Sequence, residues 1–266
     1  MYNRFQLAFK YIAYYLTASN AKGHGIHSPF VFDFIINVLQ NKGIRDKGFD
    51  LLNRQLKDLK KSNQYVNVDD LGAGSGIEKK PLRSVARIAK YAIKPTKYST
   101  LLFRIAKYYT IDSILELGTS LGVTTGYLAL AKPKYGVITI EGAPEIAEVA
   151  KRVFEQNGLV NIRQVVGNFD HELEPMILSM KGSKMIFFDG NHQFKSTIEY
   201  FNTALAHSGE NDIFVFDDIH WSSEMENAWD IIRGNERVTL AIDLFFIGIV
   251  FFRKDFKEKL DFRIRF

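Results

Sequence analysis

Apolar and polar positions alternate along this chain in two regimes. From residue 101 onward, short apolar runs at 112–117, 136–140, 161–166, 184–188, 212–217, 238–243 and 246–252 read as strands. Helical spacing fills 100–109, 122–131, 144–157, 195–207 and 223–233 between them. Strands separated by helical crossovers require a parallel sheet with helices on its faces. The last two runs, in VTLAIDLFFIGIVFFRKD, are joined too closely for a crossover, so the seventh strand returns as a hairpin, antiparallel to its neighbour. The expected class is α/β, a doubly wound, seven-stranded, mostly parallel sheet.

Before residue 101 the period is helical. Phe5, Phe9, Ile12 and Leu16 share one face of a helix over 2–18, widened by Leu7, Tyr11, Tyr14 and Tyr15. Such a face needs a partner surface, either the main domain or a second copy in a homodimer. Ser28 and Pro29 supply the cap and first position of a helix running to about Gln40, and Phe49, Leu52, Leu56 and Leu59 continue the pattern over 46–61. Residues 1–100 are therefore expected to form a helical cap and 101–266 the main domain.

The stretch Ile111–Gly142 has the form of a strand, a glycine turn, a helix and a second strand ending in an acid. Glu116 closes the first strand, and Gly118 and Gly122 let the backbone turn tightly and approach a ligand. Glu141, at the end of the second strand, is placed to accept hydrogen bonds from the two hydroxyls of a ribose. The turn has neither GxGxxG nor GxxxxGK[ST], so it lacks a diphosphate cradle. That favours S-adenosylmethionine over NAD or ATP. A second glycine loop, YVNVDDLGAGSG at 65–76 with Gly72 and Gly74, is a decoy, because no strand ending in an acid follows it at the required distance. Residues 69–76 read as a flexible loop, with closure of the active site and the cofactor site itself as the alternatives. His24 and His27 lie in the turn before Ser28, and contact with a substrate fits them better than metal ligation, since no third ligand lies nearby.

Two further apolar runs end in acids: MIFFDGNH in Asp189, followed by His192, and FVFDDIHW in Asp217 and Asp218. Both groups fall at the carboxyl edge of the sheet, where open α/β folds bind ligands. Three carboxylates there can converge on a hard cation such as Mg²⁺, which prefers oxygen ligands. His192 is the candidate general base, an imidazole titrating near ~6.5 when unperturbed, paired with Asp189. Trp221, after His220, is a candidate wall for a substrate.

Composition narrows the classes. None of the 266 residues is cysteine, which excludes disulfides, thiolate zinc sites and a cysteine nucleophile. A net charge of +5, with Lys and Arg interspersed among acids, marks a solvated surface rather than a nucleic-acid footprint. Gln6 and Lys10 interrupt the first apolar run, which is too short and polar for export or for spanning a bilayer. The expectation is a cytoplasmic protein without membrane or nucleic-acid partners.

These motifs together resemble the class I S-adenosylmethionine-dependent methyltransferases. ILELGTSLG matches that family's first motif and implies cofactor contacts at Glu116, Gly118, Thr119, Ser120 and Gly122; the EG pair implies them at Glu141 and Gly142. VVGNFD falls where the family's adenine-contacting loop lies and implies a role for Asn168 or Asp170. The acids after the later strands resemble the metal-dependent catechol and sugar O-methyltransferases, implying Asp189, Asp217 and Asp218 as metal ligands, with Asp189 also near the cofactor. His192 stands where catechol-type relatives carry a lysine base, and Asn191 where some sugar-modifying relatives have an aspartate. HGIHSPF and the surrounding N-terminal residues resemble a methyltransferase family found chiefly in the Bacteroidetes. The implied activity is methyl transfer to a small-molecule hydroxyl, assisted by a divalent metal. The rivals are an NAD-dependent oxidoreductase on a similar sheet and a non-catalytic binding module.

Overall fold

The computed structural model describes residues 1–19, 27–68 and 82–266. His24 and the 69–76 loop with Gly72 and Gly74 lie outside the described residues. The chain begins with α1 (Arg4–Thr17) and α2 (Pro29–Phe34), the latter continued by one π-helical turn, Ile35–Leu39. Next come α3 (Gly48–Leu59), β1 (Tyr65–Asn67), β2 (Leu82–Ser84), α4 (Val85–Tyr91) and α5 (Thr96–Tyr108). Then β3 (Ser113–Leu117), α6 (Val123–Leu130), β4 (Val137–Glu141), α7 (Pro144–Gln156), β5 (Ile162–Val166) and α8 (Phe169–Ser179) alternate. The alternation goes on through β6 (Lys184–Phe188), α9 (Phe194–Ala206), β7 (Ile213–Asp217) and α10 (Ser223–Gly234), and the chain ends in β8 (Leu240–Asp243), β9 (Ile247–Phe251) and β10 (Leu260–Arg263). The class is α/β with a large, mostly parallel sheet. The chain divides into two compact units, residues 43–182 and residues 1–42 with 183–266.

In the 43–182 unit β3, β4 and β5 run parallel, with Glu116 opposite Thr139. Every residue of β3 is buried, which is why its sequence lacks polar alternation. Phe49 of α3 packs edge-on against Phe103 of α5 and lies 4.7 Å from the ring of Tyr127 on α6. The short β1–β2 pair is antiparallel, and Glu145 of α7 accepts from both nitrogens of Asn67.

In the other unit β6 and β7 are parallel, and β9 runs antiparallel to both β7 and β8, the hairpin expected from the sequence. Among the described residues, besides the β1–β2 pair, there are eight strands, one more than expected. The addition is β10, which pairs parallel to β8; LDFR buries its residues only partly, so it presents no apolar run. Helix α8 also escaped the sequence pattern, because Pro175 lies inside it and reads as a breaker.

Helix α1 starts from a capping box, Asn3 and Gln6 exchanging side-chain and backbone bonds. It docks on Phe245 and Phe246 through Leu7, Tyr11, Tyr14 and Ala18. The Tyr14 hydroxyl donates to the carbonyls of Asp243 and Ile264. The Phe5, Phe9, Ile12, Leu16 face, expected to need a partner, is exposed. Of the first hundred residues, 1–42 group with the C-terminal segment and the remainder with the glycine-turn segment.

Candidate functional site

The glycine turn between β3 and α6 is held in a strained form. Gly118, Ser120 and Gly122 have φ of 101°, 48° and 77°, so left-handed conformations alternate through five residues. The amides of Gly118 and Thr119 both donate to the Ile140 carbonyl of β4, which pins the start of the turn to the neighbouring strand. A Cβ on Gly122 would lie 2.6 Å from Phe154 of α7, so this glycine serves helix packing as well as the turn. The sequence reading assigned it to the tight turn and ligand approach, not to helix packing.

Two glutamates brace this turn. Glu141 accepts from the amides of Ser120 at 2.8 Å and Ala143 at 3.0 Å, one on each carboxylate oxygen. A carboxylate oxygen accepts more than one hydrogen bond, so such a group at this turn is chemically suited to ribose hydroxyls. Glu116 is fully buried, and its Oε2 accepts from the hydroxyls of Thr125 and of Thr139, the latter at 2.7 Å. Its Oε1 has no hydrogen-bond partner. Burial pushes the carboxyl up to about 7, with the negative charge of Glu141 adding to the rise and the two threonine bonds opposing it. A buried orphan acceptor beside a left-handed turn fits a cofactor that brings a cation or a donor. Thr119 is turned inward and shares a 2.7 Å hydroxyl contact with Thr139, so its side chain supports the turn from beneath. Gly142 lies half-buried beside Glu141. Asn168 caps α8 by accepting from the Asp170 amide.

In the other unit, Asp189 follows β6 and Asp217 ends β7, so two parallel neighbours deliver their acids to the same edge. Ligand atoms of Asp189, His192 and Asp217 all lie within 4.8 Å of one another. The His192 Nε2 is 3.8 Å from an Asp189 oxygen. Asp217 is buried, whereas Asp189 and His192 are partly open. Asp218 is not part of this group: its φ of 54° turns the chain, and its amide donates to the Phe246 carbonyl at 2.7 Å. The structure thus brings together two of the three expected metal acids and adds His192. Asn191 is also left-handed, at 51°, and donates from Nδ2 to the Tyr200 hydroxyl. Strain at 120, 191 and 218 falls in the loops the sequence had singled out.

Behind the Asp217–Asp218 loop lies a network the sequence did not disclose. His220 is bound at Nδ1 by Glu226, 3.1 Å, and at Nε2 by Asp243, 2.9 Å, and stacks on Phe245. Tyr2 and Lys10 also bind Glu226. Burial alone would lower the His220 imidazole, but its bonds to Asp243 and Glu226 outweigh that and hold it above its ordinary value. The one available signal was Asp243, a charge at the end of the buried strand LAID. Tyr2 also donates its amide to the Trp221 carbonyl, and Trp221 is partly buried.

Residues 115–219 match the family model described as a methyltransferase domain. This segment is similar to a methyltransferase domain. It runs from β3 through both edges just described and stops just after the Asp217–Asp218 pair. A catechol O-methyltransferase of Niastella koreensis is 31% identical over 118 residues, which cover 43% of this chain and 52% of that protein. The chain therefore matches about half the length of that relative. Among solved structures, the S-adenosylhomocysteine-bound methyltransferase PaMTH1 of Podospora anserina has a TM-score of 0.57 at 12% identity, covering 96% of this chain and 98% of that one. The O-methyltransferase TomG of Streptomyces achromogenes, solved with S-adenosylmethionine, has a TM-score of 0.54 at 18% identity, covering 82% and 96%. An O-methyltransferase of Bacillus cereus has a TM-score of 0.53 at 18% identity, covering 80% and 94%. These likenesses show that the chain has the Rossmann-like methyltransferase fold.

Proposed function

We propose that the chain is an S-adenosylmethionine-dependent O-methyltransferase acting on a small-molecule hydroxyl with the help of a divalent ion. The observation that carries the proposal is the convergence of Asp189, His192 and Asp217 at the ends of adjacent parallel strands, inside a segment matching a methyltransferase domain. The catechol O-methyltransferase match supports the substrate class. A cytoplasmic setting without nucleic-acid partners belongs to the same proposal; no described helix is long and apolar enough to cross a membrane.

S-adenosylmethionine, when bound, supplies a methyl group on a sulfonium, already a good leaving centre. The turn from Gly118 to Gly122, with Glu116, Glu141, Gly142 and Asn168, is the set that holds and orients it. Asp189 and Asp217 would supply the oxygen ligands for a divalent ion such as Mg²⁺, which keeps several waters and takes one or two carboxylates, and the chemistry such an ion would supply is Lewis-acid polarisation of a hydroxyl. His192 then takes the hydroxyl proton at Nε2, with Asp189 beside it. Alignment of donor and acceptor does most of the remaining work.

A second reading has His192 as the third ligand, favoured by the 4.8 Å convergence of all three ligand groups. One nitrogen among oxygens would then favour Mn²⁺ or another transition ion over Mg²⁺. Metal affinity of His192→Ala separates the two: it is retained if His192 is the base and lost if it is a ligand. The primary test is calorimetry with S-adenosylhomocysteine and with NADH, followed by methyl transfer to a catechol in Mg²⁺, Mn²⁺ or chelator. Binding of NADH in preference to S-adenosylhomocysteine would overturn the proposal.

A further inference from the structure

Helix α1 is apolar on two opposite sides. One side is docked through Leu7, Tyr11, Tyr14 and Ala18. The other leaves Phe5 89%, Phe9 74%, Ile12 57% and Leu16 73% exposed, with no charged residue on that side of the helix. A helix that is hydrophobic all round belongs in an interior. With Met1 and Tyr15 the open face offers about 800 Å², the area one partner contributes to a standard protein–protein interface.

We propose that this face pairs with the same face of a second copy of the chain, antiparallel and across a twofold axis. The spacing 5, 9, 12, 16 is the alternation of four and three that makes a helix–helix seam. It is also symmetric about the middle of the helix. Run antiparallel, Phe5 meets Leu16 of the partner subunit and Phe9 meets Ile12 of the partner subunit. Ala8 and Ala13, small and exposed on the two flanks of the stripe, leave room for the backbones to approach. Self-complementarity of this kind is what an isologous interface requires.

A lipid surface fits less well. The 14 residues of α1 rise about 21 Å, short of the ~30 Å a bilayer core demands. A helix lying on a membrane needs Lys and Arg flanking its apolar face. Here the basic residues are Arg4 and Lys10, and Lys10 is ion-paired to Glu226 at 2.9 Å.

Sedimentation of the full chain across a concentration series should show a species of twice the 30.5 kDa chain mass. The double variant Phe9→Glu, Ile12→Glu should weaken that association by about a hundredfold or more. Both positions are exposed, so its melting profile should stay close to wild type. Because the chain has no cysteine, register is open to cross-linking: Phe5→Cys mixed with Leu16→Cys should form a disulfide-linked dimer, whereas Phe5→Cys alone should not. A wild type that stays monomeric at tens of micromolar would overturn the pairing, whether or not it binds anionic vesicles, as would a double variant that still dimerises. Preferential cross-linking of Phe5→Cys with itself would overturn the antiparallel seam.

Discussion

Two sets of acids stand at the carboxyl ends of strands in this molecule, and they are treated differently. Glu116 and Glu141 are engaged with the protein, one with two threonine hydroxyls and the other with two backbone amides. Asp189 and Asp217 instead converge with His192. The first pair shapes a turn, with Glu116 Oε1 left without a hydrogen bond; the second gathers acids and an imidazole around a point. Sequence motifs rank all four alike as acids after apolar runs. What separates them is where they lie: Glu116 and Glu141 bond the turn, whereas Asp189 and Asp217 share a point with His192.

The largest effect should come from breaking the second set. Asp217→Asn should lower methyl transfer by roughly a thousandfold, the several kcal/mol a metal contributes to a polarised oxygen. It should also abolish any Mg²⁺- or Mn²⁺-dependent rise in melting temperature while leaving S-adenosylhomocysteine binding intact. A chelated wild type that transfers methyl groups at full rate would remove the distinction between the two sets.

Next in size is Glu116, whose carboxyl titrates at about 7 in the fold against an ordinary 4.5. A raised carboxyl contributes stability that is fully present below pH 4.5 and is lost as pH climbs through about 7. The wild type should therefore lose about 3 kcal/mol relative to Glu116→Gln between those limits, judged by chemical denaturation at several pH values. Parallel pH curves for the two proteins would mean that the buried carboxyl is not held neutral.

Much of this was legible in the sequence because parallel strands are buried on both faces and so announce themselves as continuous apolar runs. The seven expected strands appear within a residue or two of their limits, as do the hairpin and the Ser28–Pro29 helix start. What the sequence hid has local causes. Pro175 masked α8, and the half-exposed LDFR carries no strand signature. Asp218 was indistinguishable from Asp217 until its left-handed φ took it out of the cluster. The Glu226–His220–Asp243 network joins residues far apart in the chain, and no spacing rule reaches that far. The outward turn of Phe5 and Phe9 was equally hidden, because the helix carries two apolar faces and periodicity cannot say which one docks.

Glu141→Ala should act on the first set alone. It removes the acceptor for two amides and for any ribose hydroxyl, so S-adenosylhomocysteine affinity should fall by about 1.5–3 kcal/mol, tenfold to over a hundredfold. Metal-dependent stabilisation should survive. Loss of both together would show that the turn and the acid cluster behave as one cooperative site.

The smallest effect should come from Tyr14→Phe, which leaves every acid in place and removes only a support behind the second set. The Tyr14 hydroxyl donates to the carbonyls of Asp243 and Ile264, tying α1 to β8 and to the end of β10. Burial and the nearby Asp243 hold its phenol far above the ordinary range, so it stays a donor at every accessible pH. Deleting it removes a donor shared by two buried carbonyls, of which Asp243's keeps the Ile264 amide, at a cost of about 1–2 kcal/mol, which lowers the melting temperature by a few degrees in a chain of this size. S-adenosylhomocysteine affinity should not change, because the Glu116–Glu141 turn shares no hydrogen bond with Tyr14. Asp243 also holds His220 on the loop that follows Asp217, so metal affinity should weaken slightly if that brace is transmitted. A variant with unchanged melting temperature and weakened cofactor binding would reverse the assignment of Tyr14 to the acid cluster's side of the comparison.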